Sequence, residues 1–310
     1  MAVASFHAAN EVERLAAYRN VHETWGRGAP LDDFLERRLK SPAHNRARWW
    51  VATVDGCVAA SLGCHPLQFI WQGQARPGFG ICAVHTVPAY RRQGLADQLC
   101  RTVIADSEAS NDWFGLLFSD ISPAYYARMG FRELPARSFR CQRLPELAAS
   151  GPGCAVTPLE PVTLLGFLAD TYNAHHRLDE LYLARDLHYW RYAIERHAGS
   201  LFYRLSDAEQ GDVGYAWLNP LPSGDCSLEL ALTISTPQVA TTALRAVAQA
   251  AAGMGATALA GWLPPWSTVR EWFQETTRSQ QIPMILPLKA SKTWPGTQPP
   301  SHHFWHTDHI

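Results

Sequence analysis

No net charge marks this chain: its 310 residues carry 27 basic against 28 acidic side chains, a formal balance of −1. A nucleic-acid or other polyanion partner would leave a basic excess, so none is expected. No apolar run reaches the 18 residues of a membrane span, and the N-terminus lacks a secretory apolar core. Both absences point to a soluble, cytoplasmic protein with no membrane partner. Cysteine pairs are missing too. The seven cysteines (57, 64, 82, 100, 141, 154 and 226) are odd in number, form no CxxC, and mostly sit inside apolar runs. There a free thiol acts as a small hydrophobe, which excludes a disulfide framework and a thiolate zinc site. What the chain does have is enough apolar residue (47%) for ordinary packed cores, with 12 Trp. Its length suits two domains of roughly 150 residues each.

The first half reads as α/β. Asn10 caps a helix over 10–25, with Val12, Leu15, Ala16, Tyr18 and Trp25 on one stripe. Pro30 opens a second helix over 31–40. Asp55-Gly56 joins strand-like runs at Trp49–Val54 and Cys57–His65, a hairpin signal. A strand over 79–87 leads into a basic, glycine-containing loop and a helix over 92–109, whose Leu95, Leu99, Val103 and Ile104 share a face. A buried strand over 113–118, a short helix over 123–129 and a strand-like stretch over 130–143 complete an α/β sandwich around a mixed sheet. Residues 144–157 are rich in Pro, Gly and Ser and mark a boundary.

Two stretches carry the chemistry: ICAVHTVPAYRRQGLADQL at 81–99, and FSDISPAYYARMGF at 118–131. A glycine-bearing loop between strand and helix offers backbone N–H groups at a helix N-terminus, a seat for a pyrophosphate. Together the stretches resemble the GCN5-related N-acetyltransferases, the GNAT superfamily. Arg91, Gly94 and Ala96 fit that group's Arg/Gln-x-x-Gly-x-Gly/Ala loop. The resemblance implies a GNAT fold that takes acetyl-CoA as cosubstrate. Val84, His85 and Thr86 would then serve the pantetheine arm. The amides of Arg92, Gln93, Gly94, Leu95, Ala96 and Asp97 would ring the pyrophosphate, with Arg91 or Arg92 adding charge. Ser119 and Ser122 would shape the tunnel. Tyr126, four residues before Gly130-Phe131, would be the general acid that protonates the departing thiolate. Tyr125 competes for that role, but adjacent residues cannot share a helix face. No Glu lies on the 79–87 strand, so His85 is its one titratable candidate for a base, set against a structural place on the other face of the sheet.

Beyond the boundary, helices are expected over 162–177, 179–197, 237–254 and 267–278. Strands are expected at 201–205, 212–219, 227–234 and 257–262. That order repeats the first half, but Ser235-Thr236-Pro237-Gln238 stands where a phosphate loop would be. The division expected is therefore a coenzyme domain over 1–147 and, over 155–310, a degenerate GNAT-like domain that walls the acceptor pocket.

Two narrower resemblances bear on the acceptor, a small amine. FSDISPAYYARMGF, IPMILPL at 282–288 and a Trp-containing tail look like the fungal-type lysine N6-acetyltransferases, which act on free L-lysine. The two-domain layout, the Arg-rich loop and Tyr126 are similar to the enhanced intracellular survival aminoglycoside acetyltransferases, whose C-terminal carboxylate is the base. The latter nominates Ile310 for that role, with Phe304 and Trp305 as anchors. Asp120, Asp179, Glu180 and Glu229 are candidates for an acceptor ammonium, and Arg177, Arg185 and Arg191 for a carboxylate. The histidines at 175, 176, 302, 303, 306 and 309 lack the Cys or carboxylate partners of a zinc site, so no metal is expected. Cys82 and Cys100 have no paired His to make them nucleophiles. The rival readings are a non-catalytic acyl-CoA sensor and a protein-lysine acetyltransferase. A homo-oligomer is compatible with all of them.

Overall fold

A computed structural model describes residues 3–26, 28–197, 199–221, 226–262 and 267–289. The first half runs β1 (Ser5–Ala8), α1 (Glu11–Trp25), α2 (Leu31–Lys40), α3 (Pro42–Arg46), β2 (Arg48–Val54), β3 (Cys57–Trp71), β4 (Gln74–Thr86), α4 (Leu95–Ala109), β5 (Phe114–Ser119), α5 (Ala124–Ala127), β6 (Arg132–Glu133) and β7 (Arg137–Cys141). Then follow α6 (Leu144–Ala149), β8 (Ala155–Pro158), α7 (Leu165–His176), β9 (Leu181–Ala184), α8 (Leu187–Arg196), β10 (Leu201–Asp207), β11 (Gly211–Pro220), β12 (Ser227–Ile234), α9 (Ala240–Gly253), β13 (Ala258–Trp262), β14 (Gln274–Thr277) and β15 (Ile282–Pro287).

Local chemistry accounts for the early elements. Asn10 Oδ1 accepts from the Glu13 amide at 2.9 Å, and the Glu13 carboxylate accepts from the Asn10 amide at 2.9 Å, a reciprocal cap for α1. Asp55 and Gly56 both take positive φ, as a two-residue turn between antiparallel strands requires. Gln72-Gly73 makes a second such turn between β3 and β4. These strands therefore run well past the expected 57–65 and 79–87.

The strands form two mixed sheets, ordered β1-β2-β3-β4-β5-β15-β6, with β9 added to β3, and β14-β7-β13-β12-β11-β10-β8. In each, one parallel pair (β4 with β5, β12 with β13) flanks a crossover helix, α4 or α9. The second half is thus GNAT-like in topology, as its repeated order suggests.

The sheets do not respect the boundary drawn at 147–155. β7 precedes it yet pairs with β13 and β14 of the second sheet. β15 follows it by over a hundred residues yet lies between β5 and β6 of the first. Every residue of β15 is buried, as expected of a strand covered on both faces. The halves thus exchange their last strands. β9 adds a further tie by pairing Leu181–Ala184 with residues 68–71 of β3.

Two expected helices are corrected. Residues 179–197 divide into β9 and α8 because Asp186 caps α8, its Oδ1 accepting from the Tyr189 amide at 2.8 Å. Residues 267–278 become a 3₁₀ segment (Ser267–Trp272) and β14, since the open edge of β7 supplies ladder partners. The boundary segment also holds structure: α6 packs on α9 and β8 pairs with β10.

Candidate active site

β4 and β5 pair only from Gly78 to Gly80 against Phe114 to Leu116. Beyond that point they diverge to their ends at Thr86 and Ser119, leaving a cleft at the C-terminal edge of the parallel pair. Close packing lets them meet at all: a Cβ on Gly78 would lie 2.4 Å from the Phe114 carbonyl oxygen. A bulge then turns β4 away. Ser61 pairs with His85 but Gly63 with Cys82, so β4 carries one extra residue, and Ala83 takes φ +50°.

One end of the cleft is the loop 91–94. Gly94, with φ +76°, forms the N-terminal boundary of α4 without any side-chain cap. Arg92 also lies in the left-handed region at φ +64°. The amides of Arg92, Gln93, Gly94, Leu95, Ala96 and Asp97 find no acceptor among the described residues. Six free N–H groups at the positive end of a fifteen-residue helix form an anion cradle. A Cβ on Gly94 would meet nothing within 4 Å, so the space beside it is open. Arg91 Nε donates to the Thr86 carbonyl at 3.2 Å and pins the loop to β4. Asp97 is paired with Arg101, which also donates to the Arg128 carbonyl and joins α4 to the segment holding Tyr126.

Tyr126 is 7% exposed and sits in the core cluster that holds Leu99, Cys100 and Phe131, its ring edge-on to that of Phe131. Its hydroxyl has no hydrogen-bond partner among the described residues. Burial raises its pKa well above the ordinary value, with smaller contributions from Cys100, Tyr125 and Asp120. Tyr125 stands edge-on to it, beneath the Arg128 guanidinium, its pKa pushed up by burial to about 12.

The other side of the cleft opens into a cavity of about 440 Å³. Ile81, Cys82 and Ala83 of β4, Phe118 of β5 and Asp120 just beyond it form its floor. Trp25, Phe34 and Arg38 from α1 and α2 form one wall, His44 and His65 another, and Tyr192, Glu195 and Arg196 of α8 the third. Burial pushes the His65 pKa down to about 4 and that of His44 to about 3, so both imidazoles are neutral at pH 7. The Cys82 thiol is raised to about 11 and stays protonated.

The remaining sequence candidates scatter. His85 turns toward α1, its ring 6.2 Å from that of Trp25, with Nδ1 buried and unbonded. Burial and then Arg91 lower its pKa. Ser119 is 1% exposed and its hydroxyl donates to the Ile121 carbonyl at 2.9 Å, so it shapes the turn instead of presenting a group to the cleft. Ser122 is exposed at the start of α5. Among the acidic candidates Asp120 lines the cavity, whereas Asp179 pairs with His176 at 2.7 Å. Arg185 is buried, stacked on Tyr172 and Trp190. Neither Arg177, Arg185 nor Arg191 reaches the cavity wall; Arg38 and Arg196 do, and the sequence reading missed both. Arg38 did leave a signal. It lies four residues after Phe34, on the buried stripe of α2. Ile310 and the tail histidines lie outside the described residues. Among those described, no group of three or more His, Cys, Asp or Glu is placed to hold a metal, and no helix is long and apolar enough to cross a membrane.

The split parallel pair, the bulge and the uncapped Gly94 turn define a GNAT-type fold. Residues 5–134 match the acetyltransferase (GNAT) domain family. No curated protein matches the sequence. Solved structures extend the likeness over both halves. A probable N-acyltransferase of Enterococcus faecalis V583 superposes with a TM-score of 0.76 at 12% identity, over 94% of this chain and 74% of that one. Eis1 from Mycobacterium abscessus gives 0.67 at 14%, covering 94% and 75%. A tandem GNAT protein from the clavulanic acid biosynthesis pathway gives 0.53 at 15%, covering 93% and 100%. At such identities the likeness is one of fold. Among the described residues the crossover helix of the second half, α9, has no such cradle. Residues 235–240 contain no left-handed residue, and Val239 and Ala240, at the start of α9, are buried.

Proposed function

We propose that this protein transfers the acetyl group of acetyl-CoA directly to the amine of a small molecule, free L-lysine being one candidate. A single juxtaposition carries the reading: the cleft beside β4 has a six-amide anion cradle on its α4 side and an open-mouthed cavity on the other, and Asp120 of the cavity lining is among the groups that act on the Tyr126 hydroxyl. A cavity of this volume falls in the range of small-molecule sites, which favours a small acceptor over a protein side chain.

Acetyl-CoA supplies a thioester whose acetyl group passes to the acceptor nitrogen and whose thiolate departs. The cradle over 92–97 neutralises the pyrophosphate, and the unpaired edge of β4 at Val84, His85 and Thr86 holds the pantetheine arm. Burial keeps the Tyr126 hydroxyl protonated at neutral pH, so it holds the proton the thiolate needs. The acceptor must lose a proton to become nucleophilic. Asp120 and Glu195 are the carboxylates on the cavity wall, and His85 stands behind Trp25; these three are the candidate bases. The α8 wall means that the second half completes the acceptor site.

The test is thiol release from acetyl-CoA with a panel of amines, for the native protein and Tyr126→Phe. Turnover that falls about 10²- to 10⁴-fold in the variant, with coenzyme affinity retained, supports the reading. Turnover unchanged in Tyr126→Phe removes Tyr126 as the acid.

A further inference from the structure

Charge is unevenly placed in the cavity. At its mouth the exposed Arg37, Glu195 and Arg196 mix both signs. Inside, among the described residues, the cationic side chain is Arg38, flanked by the neutral imidazoles of His44 and His65 and the protonated Cys82 thiol.

Arg38 is held on aromatic rings in place of a counter-ion. Its guanidinium carbon lies 4.6 Å from the Phe34 ring centre and 5.5 Å from that of Tyr18. Its Nη1 is buried without a hydrogen-bond acceptor. No carboxylate figures in its electrostatic surroundings; Cys82, Tyr18 and Tyr192 do. A half-buried guanidinium without an anion is costly unless something supplies one. Stacking on two rings fixes the plane of the fork and leaves its edge for a planar partner.

The position of Arg38 decides what that partner belongs to. Cys82, its neighbour, is one residue before the Ala83 bulge, so the guanidinium faces the stretch of β4 that borders the cleft. Asp120, beyond β5, supplies negative charge on the same floor. The cavity thus offers a carboxylate by the cleft, where an amine must sit to react, and a cation on the α2 wall.

We propose that the acceptor is an amine that also carries a carboxylate, an amino acid or a related aminocarboxylate, and that Arg38 binds that carboxylate. The inference rests on the cavity being the acceptor site. It separates this protein from an enzyme for polycationic acceptors, which a cationic inner wall would repel.

The experiment compares matched pairs on the full chain with acetyl-CoA: L-lysine against cadaverine, L-ornithine against putrescine, and L-lysine against its amide. The carboxylate-bearing member should show a kcat/KM on the order of 10- to 100-fold higher, the worth of one charge-assisted hydrogen-bonded pair. In Arg38→Gln that advantage should shrink toward unity, the loss falling mainly on KM for the carboxylate-bearing member. The comparison within the native protein stands even if the variant fails to fold. Equal or better turnover of the decarboxylated amines overturns the proposal and leaves the acetyltransferase reading intact. Absence of turnover with every amine, despite coenzyme binding, overturns both.

Discussion

Acid should destabilise this protein through the imidazole of His65 on the cavity wall. His65 is 8% exposed and its pKa is pushed down to about 4, first by burial and then by the charges of Arg46 and Arg196. In the unfolded chain it titrates near 6.5. Between those values the unfolded state binds a proton that the folded state refuses, so stability must fall as pH drops below 6.5. At pH 5 the unfolded form gains a factor of about 30 from protonation and the folded form almost none, which is about 2 kcal/mol. His44, pushed down to about 3 by burial and by Arg38, adds a loss of the same sign. Against a typical total of about 5–15 kcal/mol these are large terms. The assay is urea unfolding at pH 7.5 and pH 5.0 for the native protein and His65→Gln. Glutamine keeps a polar planar group but cannot take the proton. The stability difference between the two proteins should shift toward the variant by about 2 kcal/mol on acidification. A difference that stays constant between the two pH values refutes the argument, because it means His65 titrates alike in both states.

Gly94→Ala tests the cradle. The methyl group meets no protein atom but must adopt φ +76° in the space facing the cradle. KM for acetyl-CoA should rise at least tenfold, measured by initial rates, with a stability loss of about 1–2 kcal/mol. Met284→Ala tests the exchanged strand: Met284 is 0% exposed in β15, so chemical unfolding should show a loss of about 2–5 kcal/mol. A fragment ending at residue 154 should lack β15 and fail to give a cooperative transition. Removing residues 308–310 tests the Ile310 carboxylate, and turnover that persists in the folded, shortened chain excludes it as the base.

Much of the first half, the loop before α4 included, was legible because it is local. The cap at Asn10, the Asp55-Gly56 turn, the periodicity of α4 and the Arg91–Ala96 loop depend on residues within a few positions of one another. Backbone amides need no particular side chain beyond the glycine that lets them converge. Tyr126 was named through its register before Gly130-Phe131 in the family that stretch resembles. The cavity was not. Its wall draws on α1, α2, β4, β5 and α8, which lie up to about 170 residues apart, and no short-range pattern encodes that meeting.

By itself the sequence determined an α/β chain with repeated element order and one glycine-bearing loop at a helix N-terminus, since each follows from local periodicity or turn chemistry. Tertiary structure alone decided that β7 and β15 change sheets. Their ranges read equally well as the last strand of either half, and pairing is settled by which edge lies open with a covered face beside it. It also decided which arginine of α2 lines the cavity from within: packing against Phe34 and Tyr18 half-buries Arg38 and turns its charge into the cavity.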